Sequence, residues 1–141
     1  MQDRLERFLS AQQQSYQSAL TEIRNGKKAS HWMWYIFPQL KGLGSSQMAI
    51  HYGIENLDEA KAYLAHPTLG KRLVEISTAA LETKTSHATT LMGSPDDLKL
   101  RSCMTLFSEL KPTHPVFQQV LDKYFKGEKD HRTLALLTQR G

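Results

Sequence analysis

Apolar residues recur along this chain at spacings of three, four and seven, and no stretch announces itself clearly as a strand. Leu5, Phe8, Leu9, Tyr16, Leu20 and Ile23 make the first such stripe, the pattern of a helix that buries one face. Asp3 and Glu6 suit its first turn in the manner of a capping box, and Gly26 supplies the left-handed residue on which such a helix ends. The spacing therefore predicts a helix over 4–25.

The same reading carries through the rest of the chain. Ser30 can cap a two-turn helix over 31–37, which Pro38 ends because proline disfavours helical geometry at the residue before it. A short buried strand is the alternative over those seven residues, but no partner strand is evident. Ser45 or Ser46 caps a short helix carrying Met48, Ala49 and Tyr52 that ends at Gly53, and Asn56 with Glu59 starts another through Leu57, Ala60, Tyr63 and Leu64. Three of the five prolines, in His66-Pro67, Ser94-Pro95 and His114-Pro115, stand where a helix is about to begin, a position where the missing N–H is no loss. The helices they introduce carry Leu69, Leu73, Ile76 and Ala80, then Leu100, Cys103, Met104 and Phe107, then Phe117, Val120, Leu121 and Tyr124. His66 and His114 read as caps, and Asp96 and Asp97 complement the positive end of the second dipole. Residues 83–92 read as a linker or a poor short helix ended by Gly93, and Asp130 caps a last turn or two with Leu134 and Leu137. The expected fold is all-α, a compact single domain over 1–141 with about seven to nine short helices.

Composition bounds the function. At 141 residues the chain can bury a sizeable core. Its mean hydropathy is −0.48. The longest strongly apolar run, residues 32–37, is far shorter than the ~20 residues a membrane-spanning helix needs, so no membrane association is expected. The opening MQDRLERFLSAQQQ lacks the apolar region of a signal peptide, which points to a cytoplasmic protein. A single cysteine, Cys103, excludes an internal disulfide framework and, on an apolar stripe, reads as packing. The formal charge of +4 is spread among interleaved acids, so specific nucleic-acid binding is not expected.

One stretch is too polar for plain core and too aromatic for a plain loop: KKASHWMWYIFPQLKGLGSS, residues 27–46, which holds both tryptophans. His31 beside Trp32 and Trp34 is the candidate acid–base group, and the indoles can stack on a flat ligand. Each also has a plainer structural reading. The loop at Gly42-Leu43-Gly44 precedes a helix N-terminus without completing a dinucleotide fingerprint or a P-loop. Farther on, Lys99, Arg101, Ser102 and Thr105 interrupt an apolar helix, and Arg101 with two hydroxyls can meet a phosphate or carboxylate; the same groups can equally pair with a neighbouring acid and bond back to their own helix. The six histidines show no two-histidine helical spacing and HExxH is absent, so no metal site is expected, and no cofactor is implied.

The strings SHWMWYIFPQLKGLGSS, YGIENLDEAKAYLAHPTLGKRL and PDDLKLRSCMTLF resemble the DUF1810 family of small bacterial proteins, and the likeness runs nearly the length of the chain. The resemblance implies an all-α fold and supplies no reaction. The label calpastatin sometimes attached to such chains suits a disordered repeat inhibitor and not a sequence patterned throughout. The family's distinctive strings hold Trp32, Trp34, Gln39, Tyr52, Lys99, Arg101, Ser102 and Thr105, with His31, so the expected site is an anion-binding pocket between the tryptophan-rich stretch and the Ser94 helix, taking a small phosphate- or nucleotide-like ligand. The alternative is a protein-interaction module with the tryptophan-rich stretch as its hot spot.

Overall fold

A computed structural model describes residues 2–140, with the side chains from residue 4 onward; the expected cap at Asp3 lies outside the described side chains. Among the described residues nine helices follow one another: α1 (Gln2–Arg24), α2 (Met33–Ile36), α3 (Gln47–Tyr52), α4 (Leu57–Ala65), α5 (Leu69–Leu81), α6 (Ala88–Met92), α7 (Asp96–Ser108), α8 (Val116–Phe125) and α9 (His131–Gln139). Among the described residues the extended structure is one isolated parallel bridge, Leu40 to Ile54. No described helix is long and apolar enough to cross a membrane.

Most of the expected punctuation is present as chemistry. Gly26 takes φ +81°, and the bonds Gly26 N–H to Ile23 O and Lys27 N–H to Glu22 O close α1 with the paired pattern of a left-handed cap. Ser46, Asn56 and Asp130 each accept from the backbone N–H three residues on, heading α3, α4 and α9. The two His-Pro pairs share one device. His66 Nδ1 accepts from Thr68 N–H and Leu69 N–H, and His114 Nδ1 accepts from Val116 N–H, so an imidazole does the capping that a serine or aspartate does elsewhere.

The second element is shorter than its sequence suggests. Helix α2 is a single turn starting at Met33, and Ser30 is not its cap. The Ser30 hydroxyl is instead drawn to Glu22 of α1, 2.7 Å away. Pro38 does end the turn, leaving Phe37 at φ −121°, ψ 72°.

Helix α7 runs through the middle, with Leu100, Cys103, Met104, Leu106 and Phe107 wholly buried, and packs on α4, α6, α8 and α9. Burial pushes the Cys103 thiol well up, so it stays protonated and packs as a small apolar group. Edge-to-face and tilted rings link four helices in sequence: Phe8 to Tyr63 at 5.0 Å, Tyr63 to Phe107 at 5.5 Å and Phe107 to Phe117 at 5.7 Å. Gln12 fills the gap in the α1 stripe. Fully buried, it donates to Tyr35 O at 2.8 Å and to the Tyr63 hydroxyl at 2.9 Å, which ties α2 and α4 to α1.

Candidate functional site

The tryptophan-rich stretch is held by one carboxylate. Glu22 accepts from Ala29 N–H (2.7 Å), Ser30 N–H (2.9 Å), the Ser30 hydroxyl (2.7 Å) and Trp32 Nε1–H (2.9 Å). Partial burial works to raise its pKa, but these four donors stabilise the anion and bring the carboxyl down to about 2, from an ordinary 4.5. A folded value below the unfolded one means that the contribution is complete above about 4.5 and is lost as pH falls toward about 2. Glu22→Gln, which keeps the shape and removes the charge, should cost ~1–2 kcal/mol near neutrality. In melting curves taken at decreasing pH the gap to the wild type should close through that window; a constant gap would show that the charge does not matter.

Lysine 28 fastens the same stretch on the other side. Its N–H donates to Leu91 O at 2.7 Å, its ammonium lies 2.9 Å from Asp96 at the start of α7, and it sits 4.9 Å from the Trp32 ring centre. Trp32 is thereby sealed, 1% exposed. Its neighbours Met33, Ile36 and Phe37 are buried with it, so these four side chains are core and offer no exposed surface.

Trp34 faces outward and is half-buried. With Gln39, Tyr52, Gly44, Ala49 and Gly53 it lines a hollow of about 10 Å³, and the Lys99 ammonium stands 5.7 Å from its ring centre. Tyr52 is wedged against Phe8, Tyr35 and His51, and burial, with Tyr35 nearby, raises its hydroxyl pKa. Lys99 is also 3.4 Å from Asp96. Asp96 is thus shared between Lys28 and Lys99.

Arg101 does not join this group. Its guanidinium lies 4.0 Å from Asp130 and 5.8 Å from the Phe125 ring centre, toward α8 and α9. The reason is angular: at about 100° per residue, Lys99 and Arg101 lie about 200° apart on α7 and cannot serve one pocket. The hydroxyls are spent at home. Ser102 donates to Leu98 O at 3.2 Å; Thr105 donates to Arg101 O at 2.8 Å and accepts from Asp130 N–H at 2.9 Å. His31 is exposed, and no described side chain hydrogen-bonds to it. The pocket expected to unite all these residues is thus reduced to Trp34, Gln39, Tyr52 and Lys99.

The family profile described as "Protein of unknown function (DUF1810)" matches residues 2–137. The chain belongs to this family. Among solved structures, this DUF1810 chain is similar to the conserved hypothetical protein Rv1873 from Mycobacterium tuberculosis, with 47% identity, a TM-score of 0.92, and coverage of 95% of this chain and 96% of that one. No curated protein matches it. The helical fold read from periodicity is thus shared with a crystal structure.

Nothing in the spacing of this DUF1810 sequence marks Glu22 as the anchor of a segment up to ten residues away. Likewise Lys61, Lys71 and His114, which tertiary packing brings to one rim, carry no local motif; only the His-Pro pair at 114 drew notice, as a cap.

Proposed function

We propose that this DUF1810 protein is a binding domain for a small anionic ligand with a flat ring, taken up on the face formed by Trp34, Gln39 and Tyr52 with Lys99 as the cation. The observation that carries this reading is the partly buried Trp34 with the Lys99 ammonium 5.7 Å from its ring centre, on a segment pinned by Glu22 and Lys28. A hollow of about 10 Å³ cannot swallow a nucleotide. The ligand therefore lies across the indole, with its ring stacked on Trp34 and its anionic group toward Lys99. Gln39 supplies an amide for orientation. The reading is one of binding: His31 is exposed, and no described side chain orients it as an acid or base.

A protein partner is the second reading. Met48 (38%), Ile50 (49%) and Leu98 (51%) are large apolar side chains left exposed on α3 and α7, the two helices that contribute Tyr52 and Lys99.

A thermal-shift screen of nucleotides, sugar phosphates and aromatic carboxylates separates the two. A ligand at a hundredfold excess over its Kd should add ~2.7 kcal/mol to the wild type, and the shift should vanish in Trp34→Ala and in Lys99→Ala. The same compound should quench the outward tryptophan while leaving the fluorescence of Trp34→Phe, which reports the sealed Trp32, unchanged. If nothing in the screen shifts the wild type, or both variants respond fully, this face is not a ligand site and the protein-partner reading takes its place.

A further inference from the structure

Away from the Trp34 face, the corner between α4 and α5 and the connection from α7 to α8 bound a cleft of about 600 Å³, open on its outer side. That volume lies within the range of small-molecule sites. Its walls are apolar, chiefly Leu64, Val74, Leu110 and Pro112, and the residues lining it include no carboxylate. Lys61 from α4 and Lys71 from α5 are among the residues that line it, exposed and forming no salt bridge with a described acid.

The third polar group is His114. Its Nδ1 accepts from Val116 N–H at 3.0 Å, so the neutral ring must carry its proton on Nε2 and can only donate there. Thr113 is already engaged, donating to Phe107 O at 2.7 Å. The cleft therefore offers a ligand an apolar wall with two lysines and one histidine among the residues that line it. This combination selects against a neutral hydrocarbon, which has nothing to give the donors, and against a fully polar anion, which cannot use the wall.

We infer that this cleft binds a free amphiphile consisting of an apolar chain with a single anionic head group, the chain lying along Leu64, Val74 and Leu110 and the head meeting Lys61, Lys71 and His114. The inference is independent of the reading of Trp34. A carboxylate and a phosphate monoester share the required head-group chemistry.

Titration calorimetry on the full chain tests it, using hexanoate, octanoate, decanoate and dodecanoate below their micelle thresholds, with decyl phosphate, 1-decanol and anionic phospholipid vesicles as further arms. Each buried methylene should tighten Kd by about fourfold until the cleft is filled. Decanol should bind at least about tenfold more weakly than decanoate, and Lys61→Gln/Lys71→Gln should lower the affinity for the acids while leaving the alcohol unaffected. The comparison of decanoate with decyl phosphate decides which head is preferred. Val74→Phe, which narrows the cleft, should weaken every chain; because the lysine pair is exposed, its replacement leaves the fold intact should Val74→Phe not tolerate the larger ring. Affinity independent of chain length, equal affinity for alcohol and acid, indifference to the lysine pair, or binding to vesicles alone would each overturn the proposal.

Discussion

Gly70→Ala should destabilise the protein by about 3 kcal/mol or more, although alanine is the better helix former by ~1 kcal/mol. Gly70 lies in the first turn of α5, and a Cβ built there would stand 1.9 Å from Leu64 O and 2.7 Å from the Leu64 carbonyl carbon. Both are backbone atoms of α4 and cannot swing aside as a side chain would. Relief requires α4 and α5 to separate at a corner where Tyr63, Leu69 and Leu73 are fully buried, which forfeits close packing on both helices. In a chain of this size the loss corresponds to a fall in Tm of roughly 10 °C. Gly26→Ala is the control. Its φ is +81° but nothing lies within 4 Å of the added Cβ, so it should cost only the ~1–2 kcal/mol of placing an L-residue in the left-handed region. Denaturant unfolding of the two variants should rank them in that order; a Gly70→Ala protein as stable as the wild type would mean that the two helices do not approach so closely.

Arg7→Met should cost about 3–5 kcal/mol at neutral pH, the usual penalty for orphaning a buried charge. The Arg7 side chain is 10% exposed and its partner Glu59 8%. Its guanidinium joins α1 to the segment between α3 and α4, with Nε donating to His51 O at 2.8 Å, Nη2 to Gly53 O at 3.0 Å and to Glu59 at 3.3 Å, and Nη1 to Arg4 O. Glu59 also accepts from Glu55 N–H at 2.9 Å and from Arg4 at 3.2 Å. Burial alone would raise the Glu59 carboxyl pKa, but the Glu55 N–H and the two arginines hold it below its ordinary value. A lowered folded pKa places this stabilisation above the ordinary carboxyl range, to be lost on acidification. The penalty of Arg7→Met should therefore shrink as the pH falls into that range, because protonation removes the charge that the variant leaves behind. Arg7→Met/Glu59→Leu should lose less than the sum of its single variants, with a coupling of ~1–3 kcal/mol in urea unfolding. Strict additivity would show that the two side chains do not act as a pair.

Both residues illustrate where sequence reasoning stops. Helices α1, α4, α5, α7 and α8 were legible because their apolar stripes have one period and their ends carry local chemistry at fixed offsets: Gly26 after α1, Asn56 before α4, and the His-Pro pairs before α5 and α8. Helix α2 is one turn although its sequence is compatible with two, and the competitor is a carboxylate from another element. Glu22 takes the Ser30 hydroxyl and backbone that a helix starting there would have needed. Lys99 and Arg101 part company for a reason already present in their spacing, since residues two apart on a helix do not share a face. Trp34 and Trp32 could not be told apart by spacing; only the docking of Lys28 and Asp96 decides which indole is sealed.

The sequence by itself determined the all-α class, the family and where most of the helices start, because those depend on the period of apolar residues and on caps that act within three or four positions. Tertiary structure alone decided which tryptophan faces out, that Arg7 and Glu59 pair across 52 residues, and that lysines from two helices border one apolar cleft. Such contacts join residues distant along the chain, and no local periodicity encodes which long-range neighbour a side chain will meet.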